Sequence, residues 1–292
     1  EIYTLHIVGS VQERIAPALS VGGVAGTATI SWITIYPCWA LLFLPFAIHY
    51  FLWGRNRTER CLGGLGILVN LTTIIVSFRR AGPLGVGVIL VVYLALIGWR
   101  HRLYTRLLVL ALLAGILVMM LVPGYAGRLA TIPYVGSATL EAWAQNDRMI
   151  LYMAGLEAFR THPLLGLGVA GPTIWIRDVY GYHSIFEQHN LFLAVGAEVG
   201  VVGLSVYIIF LLAVAARTLA AFRNRLAAGD MRGASLVAAI FTCFVAMIFY
   251  AQFQILLRSI PIYLAAALGS AAYEIVNALP LARETEAPPD GL

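Results

Sequence analysis

Charged residues are scarce in this chain: 11% of its 292 residues are Asp, Glu, Lys or Arg, where soluble domains carry roughly 25%. That scarcity excludes an ordinary soluble protein, whose surface needs far more charge. Cysteine is also rare. Cys38, Cys61 and Cys243 show no CxxC spacing, so neither a disulfide framework nor a zinc site is suggested, and they read as small packing residues. Walker A, HExxH and Asp-x-Asp patterns are missing altogether. The missing acidic pair weighs against a metal-dependent sugar-nucleotide transferase, because a divalent cation on a diphosphate needs carboxylate ligands. Gly166 to Gly171 (GLGVAG) spells the dinucleotide fingerprint, but no strand pattern precedes it and Pro172 follows, so a Rossmann reading is rejected.

What is present is apolar: 61% hydrophobic residues and a mean hydropathy of +0.86, a composition that only lipid accepts facing outward. The fold class expected is all-α, a polytopic transmembrane helical bundle. Seven apolar runs approach the roughly 20 residues that cross the hydrocarbon core: Ser31 to Trp53, Cys61 to Phe78, Pro83 to Trp99, Leu107 to Val122, Asn190 to Ala216, Ala234 to Leu257 and Ser259 to Leu279. The chain thus divides into an extracytoplasmic segment (1–30), four spans (31–122), a long, partly helical extracytoplasmic loop (123–188), three spans (189–279) and a polar cytoplasmic tail (280–292).

Arginine positions orient the bundle, since short positive loops stay cytoplasmic. Arg55, Arg57 and Arg60, then Arg100, Arg102 and Arg106, then Arg217, Arg223, Arg225 and Arg232 mark three cytoplasmic loops. The basic pI therefore reflects topology, and no nucleic-acid partner is expected. Arg79 and Arg80 break the rule by falling in a short loop on the outer side. They either snorkel to lipid phosphates or hold an anionic ligand, most naturally phosphate.

In the long outer segment, Asn146-Asp147-Arg148 followed by MILYMAGLEAF has helical periodicity, with Asn146 or Asp147 as N-cap, and the pattern ends at Thr161-His162-Pro163 before a Gly-Leu-Gly turn. Of the histidines, His162 suits a capping or packing role, His183 is a secondary candidate, and His189 is the strongest. It stands beside Asn190 at the mouth of an apolar helix, and a neutral imidazole near pH 7 can accept a hydroxyl proton. Glu198, nine residues on, lies half a turn from the face of His189. A polar contact between helices suits it, helped by the close approach that Gly196, Gly200 and Gly203 allow.

Three pieces carry a family resemblance: Ser77-Phe78-Arg79-Arg80-Ala81-Gly82; Asp147-Arg148 running into Phe159-Arg160-Thr161-His162-Pro163-Leu164-Leu165-Gly166-Leu167-Gly168; and His189-Asn190 followed by Leu193, Glu198, Gly200 and Gly203. In order and spacing the chain resembles the O-antigen ligase and polymerase superfamily over Thr27 to Leu279, the C-terminal part of such proteins. Further helices upstream are expected, and the start at Glu1 reads as that of a fragment.

The resemblance implies a GT-C-like bundle in the inner membrane and an inverting, metal-independent, cofactor-free transfer of a glycan from undecaprenyl pyrophosphate. The acceptor would be lipid A core or another glycan, with membrane lipids around the protein. Arg80 and Arg148, with Arg79, would hold the pyrophosphate through paired guanidinium forks. His189 would be the proton acceptor, with Asn190 orienting the imidazole or the acceptor. Ligase and polymerase activities share this chemistry, and a transporter of a small anion or solute is the alternative from another class. A transporter would carry ionisable groups near the membrane midplane, whereas Arg79, Arg80, Arg148 and His189 gather at one face.

Overall fold

Helix is the only regular structure among the described residues of the computed structural model, which are 36–77, 81–97, 147–180, 189–253 and 260–278. The described residues form eight helices: α1 (Tyr36–Trp53), α2 (Arg57–Val76), α3 (Ala81–Ile97), α4 (Asp147–Thr161), α5 (Gly171–Tyr180), α6 (Leu191–Ala227), α7 (Met231–Tyr250) and α8 (Ile260–Ala278). Four of them, α1, α2, α6 and α7, are long and apolar enough to cross a membrane, and α3 is apolar but shorter. The expected span Leu107 to Val122 lies outside the described residues, as does the tail from Pro280.

Several boundaries differ from the hydropathy reading: α7 runs Met231–Tyr250 where Ala234 to Leu257 is expected, and the chain turns at 251–253. Helix α2 begins at Arg57 instead of Cys61, because Asn56 caps it. The Asn56 side chain accepts from the Glu59 amide at 2.8 Å, while the Glu59 carboxylate accepts from the Arg55 amide at 2.6 Å. Helix α6 runs on to Ala227, past the expected end at Ala216. Its Ala-, Leu- and Arg-rich continuation consists of strong helix formers that extend the helix beyond its apolar run.

Helix α7 is the hub, packing against α1, α3, α6 and α8. Small side chains recur along it at helical spacing, Ala234, Ala238, Thr242 and Ala246 on one row and Ser235, Ala239 and Cys243 on the next, all buried. In lipid, where burial of apolar surface drives nothing, such rows let helices approach until van der Waals contact holds them. Polar contacts add to it. Ser235 Oγ lies 2.6 Å from Tyr93 Oη and 2.9 Å from His49 Nδ1, tying α7 to α3 and α1 in the buried interior. Thr218 of α6 donates to the Gly269 carbonyl of α8 at 2.9 Å.

One end of the bundle is secured by charge. Asp230 caps α7, its Oδ1 accepting from the Gly233 amide at 2.8 Å, and its Oδ2 receives Arg225 Nη1 at 2.9 Å. Both side chains of this pair are under a tenth exposed. Nearby, Arg232 of α7 meets Glu59 of α2 at 3.1 Å. Removing one charge from a buried pair leaves the other uncompensated. Asp230→Asn, which keeps an oxygen for the cap, is therefore expected to cost about 3 kcal/mol, checked as a lowered melting temperature in detergent against Arg217→Gln, whose pair with Glu274 is exposed.

Candidate functional site

Helix α4 ends at Thr161, where the sequence pattern ends, and the chain turns through Gly166 (φ +68°) and Gly168 (φ +85°), the expected turn. Leu151, Ala154 and Ala158 form the buried stripe of α4, spaced at three and four residues. Trp175 of α5 covers part of that stripe, and the Phe159 ring lies against Gly196 of α6.

Helix α6 does not run unbroken. Gly200 has φ +65° and ψ −169°, a conformation open essentially to glycine alone. In a continuous helix the amides of Val201 and Val202 would pair with the carbonyls of Ala197 and Glu198, four residues back. Here those four groups are shared out to the loop after α4 instead. Val201 N donates to Pro163 O (2.7 Å) and Val202 N to Leu164 O (3.4 Å), while Ala197 O accepts from Leu167 N and Glu198 O from Gly168 N, both at 2.9 Å. The loop is clipped into the helix, replacing two helical bonds by four.

Two glycines make the clip possible. A Cβ on Gly200 would collide with the Leu164 carbonyl, and one on Gly166 with the Glu198 carbonyl. Glu198 is buried, and its Oε1 accepts from the Ala170 amide at 3.2 Å, just before α5 begins. The polar contact expected of Glu198 is thus with the loop, and Gly200 serves to break a helix where the sequence suggested close helix packing. Gly203 sits one turn beyond Val199, whose side chain fills the space a Cβ would need.

Upstream of the break stands the His-Asn pair. Asn190 is the N-cap of α6: its Oδ1 accepts from the Leu193 amide at 3.0 Å. Leu191 N donates to Ala251 O at 3.1 Å, fastening the start of α6 to the end of α7. Tyr152 Oη donates to the carbonyl of His189 at 3.1 Å, fastening it to α4. His189 is partly exposed at this junction. Arg148 lies in the first turn of α4, four residues before Tyr152. Arg79, Arg80 and His183 lie outside the described residues. Among the described residues, no group of three or more His, Cys, Asp or Glu side chains converges as a metal-ligand set would.

The sequence reading missed Tyr152 as the link between the two candidate segments, and assigned Asn190 to chemistry when its position directly before an apolar helix is also the ordinary signal of a cap. Asn190→Ala is expected to lower stability by about 1 kcal/mol, and Asn190→Asp to restore it, as a cap requires. Thermal unfolding of both variants checks this: equal stability in Asn190→Ala and the parent would deny the cap its role.

No curated protein matches the chain. Residues 65–208 match the family model described as O-antigen ligase, a stretch reaching from α2 through the clip to the middle of α6. It takes in all three pieces on which the resemblance rests, and it supports the chain's resemblance to the O-antigen ligase and polymerase superfamily of integral membrane proteins.

Proposed function

We propose that this protein transfers a glycan from undecaprenyl pyrophosphate to lipid A core or another acceptor at the outer face of the inner membrane, inverting the anomeric centre without a metal. The observation that carries this reading is the bond from Tyr152 to the His189 carbonyl, 3.1 Å long. It joins the start of α6 to the helix whose first turn holds Arg148, which supports a reading in which a cation and a proton acceptor serve one junction.

In this reading the acceptor hydroxyl attacks the anomeric carbon, and His189 takes the hydroxyl proton. The bond between the anomeric carbon and the pyrophosphate oxygen breaks, and undecaprenyl pyrophosphate leaves carrying the electron pair. Arg148 and Arg80, with Arg79 beside it, neutralise the charge that develops on that leaving group, a task for which the guanidinium fork matches paired phosphate oxygens. Asn190 acts on His189 through the backbone, by fixing where the helix starts. The arginine clusters at Arg55 to Arg60 and at Arg217 to Arg232 support an orientation with those loops in the cytoplasm.

The test is transfer in vesicles holding the protein, a radiolabelled undecaprenyl pyrophosphate glycan and lipid A core, without nucleotide or added metal. Label on the core makes the protein a ligase. Label in longer undecaprenyl-linked chains makes it a polymerase. With both substrates shown intact, label on neither overturns the proposal.

A further inference from the structure

The clipped loop carries side chains that the site does not use. Leu164 is 66% exposed, and Leu165 and Val169 are each 75% exposed. Three large apolar groups at this exposure within six residues are costly in water, and a contiguous apolar patch marks a surface that meets something else. What they meet is indicated by α6. Before the break, Leu191 to Glu198 are mostly buried; after it, Val202 is 53% and Val206 64% exposed. The break divides a segment enclosed by protein from one that faces lipid. Because Val201 and Val202 bond to Pro163 and Leu164 directly, the exposed loop leucines stand beside the start of the lipid-facing part of α6.

The depth agrees. At its other end, the lipid-facing part of α6 stops at Arg217, whose exposed pair with Glu274 belongs in water or headgroups. Sixteen residues separate Arg217 from Val201, which the loop clips, and 16 helical residues rise about 24 Å, most of the thickness of the hydrocarbon core. The clip thus falls near the opposite boundary of the bilayer. Arg160, exposed in the last turn of α4, flanks the leucines as a basic residue does at a headgroup layer. We infer that the Pro163–Ala170 loop is an interfacial membrane anchor, with Leu164, Leu165 and Val169 inserted among the acyl chains of the bilayer leaflet nearest His189. The partner is bulk lipid, and the anchoring holds the clipped junction at a set depth.

The inference stands apart from the transfer reaction and can be tested without it. In a Cys61→Ser background, where the remaining Cys38 and Cys243 are buried, Leu165→Cys and separately Val169→Cys are labelled with bimane. The protein is placed in nanodiscs of phosphatidylcholine brominated along its acyl chains. Val206→Cys serves as the lipid-facing reference and Asn224→Cys, exposed beyond Arg217, as the aqueous one. Quenching at positions 165 and 169 is expected within about twofold of that at 206 and several-fold above that at 224, as for side chains immersed at the acyl boundary. Quenching at both sites no greater than at 224 would overturn the anchor. So would 165-to-165 cross-linking with loss of quenching, which would make the face a contact between copies. Relief of quenching by a few mole per cent of a polyprenyl phosphate would replace the anchor with a site for one particular lipid.

Discussion

Replacing His189 with alanine is expected to slow glycan transfer by about 10²–10⁴, the usual worth of a general base, while donor binding and folding stay near the parent values. The separation is expected because the bond that ties this residue to α4 uses its main chain. Tyr152 donates to the carbonyl of His189, and that carbonyl survives the substitution. Asn190 likewise keeps its cap through its own side chain. Tyr152→Phe supplies the complementary case: it leaves the imidazole and deletes one hydrogen bond of about 0.5–1.5 kcal/mol, so a loss of only several-fold in transfer is expected. Initial rates in vesicles, with donor retention measured in parallel, decide the matter. Full activity in His189→Ala would remove the proton acceptor from the proposal, and an unchanged donor affinity in Arg148→Ala would remove Arg148 from the pyrophosphate clamp.

The second large effect is expected of Gly200→Ala. At φ +65° and ψ −169° an L side chain is strained by about 1–3 kcal/mol, and the new methyl would strike the Leu164 carbonyl, a backbone group that has no rotamer to yield. The helix has another course, which is to straighten. Val201 and Val202 would then recover Ala197 and Glu198 as partners, and the loop would be expelled. Keeping the break without the loop is not an alternative, since four bare backbone groups at about 1–3 kcal/mol each cost more than either state. Gly200→Ala should therefore lose the clip altogether, seen as rapid proteolysis between Pro163 and Ala170, a melting temperature lowered by several degrees, and transfer reduced with it. Gly168→Ala is the control. Its φ is +85°, but a Cβ there meets nothing within 4 Å, so it should cost only the conformational strain of about 1–2 kcal/mol and leave the loop protected. Equal behaviour of the two variants would mean that the clip does not depend on the close approach at Gly200.

These two residues also show how far the sequence could be read. Periodicity and end signals were sufficient for α4, whose pattern stops at Thr161-His162-Pro163 as the helix does, and for the turn at Gly166 to Gly168. Hydropathy located α1, α2, α6 and α7 because crossing lipid imposes length and apolarity on a local stretch. The break at Gly200 left no such trace. A glycine in an apolar helix means close packing as readily as a kink, and here the difference is made by a backbone segment more than thirty residues earlier in the chain. Asn190 was legible in two ways at once, since the residue types that cap helices are also those that serve chemistry. The buried polar ties, Ser235 with Tyr93 and His49, and Arg225 with Asp230, depend on which helix faces meet, which no single-helix pattern reveals. The family resemblance reached further than periodicity did, because its second and third pieces turn out to be the two halves of the clip.

The clip also sets an order of events during synthesis. The loop at Pro163 is made before α6, and α6 enters a bilayer that offers its amides and carbonyls no partner of its own. A helix that inserts straight, with Val201 and Val202 paired inside it, would open only when the waiting loop reaches it. The nine residues of α6 before Gly200 would then be re-aimed by the loop after insertion, and His189 and Asn190 at its head would take their final direction only in that step. A nascent chain halted between insertion and docking would already span the membrane and still lack the assembled junction.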